Sequence, residues 1–316
     1  MTGVRSAISG SISEVRSRSI RRILERRHLD PTASIVLCSE ARSGSTWLME
    51  LFGQLAGTVC SWEPFHPDRG ALPADWDMGW RPYVPEHDAD DRLVDWFDQL
   101  FRFRIANDWT LSQTSLIQAR RAEVGVHKFI RAALLLPWMV RHLTLERPPI
   151  FLVRHPLATV SSKNANFAVA STTGIAAATG DDPLDDRYAE IVRSQRDPTD
   201  VRIARWCNAN RVALNHPAAG TDWIIVHYEH LLLDPQVTMR SLLDAIGWPD
   251  ADGAVTALDV GRASRSDFTG ALADSPQQQL GKWIDRADAR TLERTQELLD
   301  QFGIVDYRAD DAMPVR

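Results

Sequence analysis

Residues 34–48 read Ser-Ile-Val-Leu-Cys-Ser-Glu-Ala-Arg-Ser-Gly-Ser-Thr-Trp-Leu, and they are the most informative part of the sequence for the fold class. Its first part is a short apolar run rich in β-branched side chains, which predicts a buried strand. A polar turn with one glycine follows, and apolar residues then recur at helical spacing from Trp47 to Leu55. A strand, a glycine turn and a helix in this order form an anion cradle, because backbone N–H groups and the helix dipole converge on one concavity. The same pattern also fits an ordinary junction whose serine and threonine cap the helix.

The turn differs from the common nucleotide-binding loop. A Walker A loop needs a glycine five residues before the second glycine and a lysine after it, whereas Ser45 stands in the lysine's place here. Arg-Ser-Gly-Ser-Thr-Trp, residues 42–47, instead resembles the phosphosulfate-binding loop of sulfotransferases that use PAPS (3′-phosphoadenosine 5′-phosphosulfate). The resemblance implies that the donor is bound by Arg42, Ser43, Gly44, Ser45, Thr46 and Trp47, with the indole stacked on adenine.

A second segment, Pro149–Lys163, extends the resemblance. An apolar strand leads into Arg154, a proline opens the following helix, and Ser162 stands eight residues after the arginine. The second signature of the family has this form, and there the arginine and serine bind the 3′-phosphate of PAPS. His155 replaces the usual aspartate of the family, whose role is mainly architectural. Two signatures in the right order are far more specific than either alone.

The catalytic candidates follow the second and third predicted strands. Glu63 precedes Pro64 at the end of the second strand, and the proline predicts an extended backbone there, with the carboxylate over the cradle as a base for the acceptor hydroxyl. Lys128 lies near the end of the third strand, where the resemblance implies a lysine. Because strand residues alternate faces, His127 and Lys128 do not easily share the site. Lys128 is the preferred site residue, and His127 is the alternative base.

Two later segments complete the predicted donor site. Tyr228 begins the pattern Tyr-Glu-x-Leu-x-x-Asp-Pro after an apolar strand, a pattern common in sulfotransferases, where the tyrosine lies near adenine. The family also closes a basic C-terminal loop on the 3′-phosphate. The familiar Arg-Lys-Gly form is absent here, and Arg265 and Lys282 are the candidates for that role.

The resemblance implies an α/β fold, P-loop-like, with three αβα layers around a central parallel sheet. We predict a basic N-terminal segment at residues 1–30, a sulfotransferase domain at residues 31–305 and a loose C-terminal tail at residues 306–316. Residues 68–120 are predicted to be a helical, tryptophan-rich cap insertion over the acceptor pocket, although most of its aromatic residues are expected to pack a core.

Composition narrows the classes of partner. A net charge of −6 argues against nucleic-acid binding. Three cysteines at no metal-like spacing favour a reducing cytoplasm and no metal. The sequence contains no apolar run long enough for a membrane span. The arginine-rich segment 1–30 fits weak contact with an anionic membrane, but a solvated N-terminal helix is the preferred interpretation. The oligomeric state is left open.

The resemblance implies in-line transfer of a sulfuryl group from PAPS to a hydroxyl or amine of a carbohydrate, lipid or small-molecule acceptor, without a metal. Arg42 would stabilise charge on the leaving phosphate, and Glu63 would take the acceptor proton. Two alternatives stay open at this point. One is a P-loop-type kinase of a small metabolite, and the other is a non-catalytic nucleotide-binding protein of the same fold.

Overall fold

A five-stranded parallel sheet lies at the centre of the molecule, in the strand order β2-β3-β1-β4-β5. The computed structural model describes residues 2–76, 78–166, 186–261 and 275–315, and it describes side chains from residue 14 onward except those of residues 163–166. The strands are β1 (Ile35–Ser39), β2 (Thr58–Trp62), β3 (Val124–Phe129), β4 (Ile150–Val153) and β5 (Ile224–His227).

The helices of the described residues connect and flank these strands. In chain order they are α1 (Thr2–Glu25), α2 (Ser45–Phe52), α3 (Asp91–Phe101), α4 (Leu116–Arg121), α5 (Leu136–His142), α6 (Pro156–Asn166), α7 (Asp186–Ser194), α8 (Pro198–Asn215), α9 (Tyr228–Leu233), α10 (Pro235–Ala245), α11 (Ala251–Thr256), α12 (Pro276–Gly281) and α13 (Ala289–Gln301). Short 3₁₀ turns cover Ala133–Leu135 and Ile284–Arg286.

Alternation along β1 builds the three layers. Ile35 and Leu37 face α2, α10 and α11, whereas Val36 and Cys38 face α3, α5, α6, α8 and α13. Every residue of β1 is buried, because helices cover both faces of a parallel sheet, and this is why the strand is an unbroken apolar run. The predicted αβα fold with a central parallel sheet is confirmed.

The tryptophan-rich segment supplies both a core layer and an exposed surface. The apolar face of α3 packs on the sheet, with the Phe97 ring 5.9 Å from Phe129 and 6.1 Å from Trp138. Trp96 stacks on Phe65 at 4.8 Å. Trp80, by contrast, is 47% exposed and lies near the carboxyl edge of the sheet. Most of the aromatic residues therefore pack the core, as expected, and they join the core of the sheet itself.

The second half of α1 is docked against the domain. Ile20 and Leu24 are fully buried beside Val59 and Phe103, and the Arg27 Nε donates to the Ala122 carbonyl at 2.9 Å. The preference for a solvated N-terminal helix is therefore wrong for this half. Ile20 and Leu24 hold this half of the helix against the domain because they pack on apolar side chains of α4 and β2.

The C-terminal residues also pack on the domain, so the prediction of a loose tail is wrong for residues 306–315. Tyr307 and Ala309 are buried, and the Val315 N–H donates to the Asp306 carbonyl at 2.8 Å. Across the described residues, no helix combines the length and apolar character that a membrane crossing requires.

The docking of α1 predicts that Leu24→Ala lowers the free energy of unfolding by about 2–4 kcal/mol, because it removes a fully buried side chain. Urea unfolding followed by circular dichroism measures this change. Val15→Ala is the matched control on the same helix, since Val15 is 59% exposed and its loss should change stability by less than about 0.5 kcal/mol. Equal effects of the two substitutions would contradict docking of α1.

Candidate active site

The carboxyl ends of the five strands bring the polar residues together at one edge of the sheet. The loop of residues 40–44 follows β1, Glu63 follows β2, Lys128 is the penultimate residue of β3, Arg154 follows β4 and Tyr228 follows β5. In open parallel sheets this edge is where ligands bind. The parallel topology therefore collects residues that lie far apart in the sequence.

Two left-handed residues shape the loop after β1. Arg42 has φ 73° and Gly44 has φ 93°, and α2 begins directly afterwards at Ser45. A Cβ atom at Gly44 would lie 2.3 Å from Cδ2 of Tyr228, so only glycine fits under the tyrosine ring. The first amides of α2 have no intrahelical acceptor and carry partial positive charge. This loop is a backbone cradle for an anion.

The two signature segments are joined by direct hydrogen bonds. The Arg42 Nε donates to the Ser162 Oγ at 3.1 Å, and the Arg154 Nη1 donates to the Arg42 carbonyl at 3.4 Å. The Arg154 guanidinium also lies 4.4 Å from the centre of the Tyr228 ring. The Arg154 Nε is buried and has no hydrogen-bond partner among the described residues. The loop after β1 and the start of α6 thus form one basic surface.

The other predicted donor residues occupy different environments. Ser45 and Thr46 lie at the start of α2 with small exposed fractions, and Trp47 meets the Tyr228 ring edge-on at 6.2 Å. The Ser43 hydroxyl is completely buried and has no hydrogen-bond partner in the described part of the chain. Arg265 lies outside the described residues.

Lys128 connects the loop to the candidate base. Its Nζ lies 3.0 Å from Glu63 Oε1 and 3.3 Å from Thr46 Oγ1, and it sits 3.5 Å from the centre of the Trp62 ring. The side chain is almost completely buried. Burial lowers the pKa of Lys128, while the Glu63 carboxylate acts in the opposite direction. A cation, a carboxylate and a hydroxyl therefore meet beside the cradle.

Glu63 reaches this position through a strained backbone. Its φ of 42° places it in the left-handed region, so the prediction of an extended residue before Pro64 is wrong. Its N–H donates to the Lys128 carbonyl at 3.0 Å, and this bond continues the pairing of β2 with β3 while the chain turns. Such a conformation costs about 1–3 kcal/mol in a residue other than glycine and is concentrated at functional sites.

His127 lies on the opposite face of the sheet from Lys128. Its ring is fully buried between Phe101 and Phe103, at centroid distances of 4.8 and 5.0 Å. Burial lowers the pKa of His127 to about 3. Because the ring has no path to the cradle, the prediction of His127 as an alternative base is wrong.

His155 connects the start of α6 to the C-terminal residues. The Leu157 N–H donates to His155 Nδ1 at 3.2 Å, which caps the start of α6, and Nε2 lies 3.0 Å from the Arg308 carbonyl. The ring stacks on Trp283 at 4.3 Å. These contacts fit a neutral ring that carries its proton on Nε2, and burial lowers the pKa of His155 to about 4.

Glu229 stabilises the same junction between β4 and α6. It accepts hydrogen bonds from the His155 N–H at 2.8 Å and from the Tyr307 hydroxyl at 2.9 Å. Burial raises the pKa of this carboxyl group. The C-terminal residues therefore support the strand end that carries Arg154.

Several residues at this edge were missed by sequence reasoning. Arg81 makes a bidentate contact with Glu40 at 3.1 and 3.0 Å, and Arg131 lies beside Glu63. Arg286 Nη1 donates to Ser161 Oγ at 3.3 Å, next to Ser162 on α6. None of the three arginines stands in a recognisable motif, so the sequence alone does not single them out.

A family model described as the sulfotransferase family matches residues 34–252. Among solved structures, the chain is similar to the sulfotransferase domain from the olefin synthase of Synechococcus PCC 7002, at 19% identity over 87% of this chain and 96% of that chain, with a TM-score of 0.47. It is also similar to the sulfotransferase domain from the curacin biosynthetic pathway, at 16% identity over 86% of this chain and 97% of that chain, with a TM-score of 0.46. A third similar structure is sulfotransferase STF9 from Mycobacterium avium, at 14% identity over 82% of this chain and 78% of that chain, with a TM-score of 0.39. No curated protein matches.

Among the residues that the structure describes, no three His, Cys, Asp or Glu side chains are grouped to hold a metal ion.

The buried neutral ring of His155 predicts an acid-sensitive fold. Below pH 6.5 the unfolded chain protonates this histidine, whereas the folded protein does not until about pH 4, so the free energy of unfolding falls across this interval. The contribution is about 3 kcal/mol at pH 4. His155→Asn keeps a capping acceptor and removes the titration, so its stability should fall less steeply in urea unfolding from pH 7.5 to 4. His127 contributes equally to both proteins, and identical slopes would contradict the assignment.

Proposed function

The chain belongs to the sulfotransferase family, and from this premise we propose that it transfers a sulfuryl group from PAPS to a hydroxyl or amine of a carbohydrate, lipid or small-molecule acceptor. The observation that carries the proposal is the pair of hydrogen bonds that joins Arg42 to Ser162 and Arg154 to the Arg42 carbonyl. The two signatures form a single basic surface whose donors suit a nucleotide with phosphates at both ends.

The donor set fits such a nucleotide. The amides at the start of α2 and the Arg42 guanidinium would hold the 5′-phosphosulfate, since both favour a tetrahedral anion. Arg154 and Ser162 would hold the 3′-phosphate, and the buried, unpartnered Nε of Arg154 supports this assignment. Tyr228 and Trp47, which meet edge-on, would border the adenine.

PAPS would supply the electrophilic sulfuryl group, and the protein would supply charge and a base. Glu63 would accept the proton of the acceptor hydroxyl or amine on its carboxylate. Arg42 would stabilise the negative charge that develops on the leaving phosphate through hydrogen bonds, because a guanidinium does not readily give up a proton. Lys128 would stabilise charge on the same side, from its place between Thr46 and Glu63.

The Lys128–Glu63 contact has a consequence for the timing of catalysis. The Lys128 ammonium donates a hydrogen bond to Glu63 Oε1 at 3.0 Å, so this oxygen is not available to the proton of an acceptor. We infer that Lys128 turns from Glu63 toward the anionic donor when the donor binds, which leaves the carboxylate free to take a proton. The second contact of Nζ, to Thr46 on the cradle side, supports this direction of movement.

A cytoplasmic location belongs to the same proposal. The three cysteines are free and buried, as is typical of a reducing compartment.

The proposal predicts selective binding of 3′-phosphoadenosine 5′-phosphate (PAP), the reaction product. Calorimetric titration should show tight binding of PAP and much weaker binding of ADP with magnesium, which is the ligand that a kinase would prefer. Arg154→Ala should weaken PAP binding about 10- to 100-fold, because a charge-assisted hydrogen bond is lost. Arg141→Ala is the control, since Arg141 lies on the exposed end of α5. Preference for ADP with magnesium, or an unchanged Arg154→Ala variant, would contradict the proposal.

The role of Glu63 predicts a loss of transfer without a loss of donor affinity. In a screen of hydroxyl and amine acceptors with labelled PAPS, Glu63→Gln should slow transfer about 10²- to 10⁴-fold and leave the dissociation constant of PAP within a few-fold of the wild type. Glu190→Gln, on the exposed side of α7, should keep full activity. Transfer at the wild-type rate in Glu63→Gln would remove this residue from the mechanism.

A further inference from the structure

Arg131 lies on the far side of Glu63 from Lys128. It follows β3 by two residues, is 8% exposed, and places Nη1 4.0 Å from Glu63 Oε2. Its guanidinium carbon lies 4.2 Å from the centre of the Trp80 ring. The guanidinium is thus held between the candidate base and a half-exposed indole.

Two N–H donors of this guanidinium have no hydrogen-bond acceptor among the described residues. Nε and Nη1 are completely buried and have no hydrogen-bond partner there. The distance of 4.0 Å from Nη1 to Glu63 is too long for a hydrogen bond. A buried charge is costly unless it is paired and hydrogen-bonded, so the arrangement calls for a further acceptor.

The neighbouring carboxylates are already engaged by other cations. Glu63 Oε1 is bound by Lys128 at 3.0 Å. Both oxygens of Glu40 are bound by Arg81 at 3.1 and 3.0 Å. Neither of these two acids supplies a hydrogen-bonded oxygen to Nε or Nη1 of Arg131.

Other charged groups also act on Arg131. Burial lowers its pKa and the charge of Arg81 acts in the same direction, whereas the charges of Glu63, Glu40 and Asp68 raise it. Burial and the charge of Arg81 also lower the pKa of Arg205, on α8. Arg81 therefore lies within electrostatic range of both Arg131 and Arg205.

We propose that the acceptor carries an oxyanion, a carboxylate or a phosphate, which pairs with the Arg131 guanidinium beside Glu63 while a flat or apolar part of the same molecule lies against Trp80. This proposal rests on the proposed function, because it defines the acceptor by its position relative to Glu63. A guanidinium binds either oxyanion through charge-assisted hydrogen bonds. The nucleophile would then face Glu63 while the anion is held at Arg131.

The test uses the protein saturated with PAP, so that the nucleotide-binding surface is occupied. Benzoate and phenyl phosphate are titrated calorimetrically, with benzamide as the neutral analogue. At least one anion should bind about tenfold more tightly than benzamide, and the stronger of the two identifies the oxyanion. Arg131→Gln should abolish this preference, and Arg131→Lys should keep only part of it. Arg141→Gln, the matched exposed arginine, should leave it intact.

A second variant distinguishes binding beside Trp80 from binding at the position that the sulfuryl group of PAPS would occupy. Trp80→Ala should weaken benzoate or phenyl phosphate about fivefold and leave inorganic sulfate unaffected, because only the aromatic ligands contact the indole. Trp80 is 47% exposed, so this variant keeps its fold, and it decides the question if Arg131→Gln does not fold.

Three outcomes would overturn the proposal. They are equal binding of anions and benzamide by the wild type, an unchanged preference in Arg131→Gln, and sulfate binding as tight as benzoate with no effect of Trp80→Ala. Failure of the wild type to bind PAP contradicts the proposed function instead. Tight PAP binding without any anion preference contradicts only the role of Arg131.

Discussion

The pairing of β1 with a strand on each side is the constraint on which the site depends. Leu37 is aligned with Lys128 of β3 on one side and with Ile150 of β4 on the other. A slip of one residue between β1 and β3 would exchange the faces of neighbouring side chains. It would send the Lys128 ammonium among the phenylalanines of α3 and turn His127 toward the cradle. The burial of the apolar side chains of β1 and β3 thus fixes the position of the Lys128 ammonium group.

Strand register explains why the sequence predicts much of this arrangement. The β-branched runs identify the strands, and side-chain alternation separates Lys128 from His127 before any coordinates are known. Parallel strands with helices between them also imply that the strand ends meet at one edge. The joining of Arg42 to Ser162 then follows from topology together with the two signature segments, although their contact distance does not.

Other features depend on contacts that no local pattern encodes. Glu63 is left-handed because its N–H is held by the Lys128 carbonyl, a partner on another strand, and this overrides the preference that Pro64 imposes. Arg131 stands alone after a strand, and only its neighbours in space show that its donors lack partners. The burial of Leu24 likewise depends on the apolar surface beneath α1, which comes from segments distant in sequence.

The corner at the end of β4 depends on the last part of the chain. Glu229 holds the His155 N–H and the Tyr307 hydroxyl, and the Arg308 carbonyl lies against the His155 ring. Proteins are synthesised from the N-terminus, and segments begin to fold as they emerge. The sheet can therefore assemble while Glu229 still lacks its tyrosine partner. The corner that carries Arg154 reaches its final form only after Tyr307 and Arg308 have left the ribosome, so the basic surface matures later than the sheet beside it.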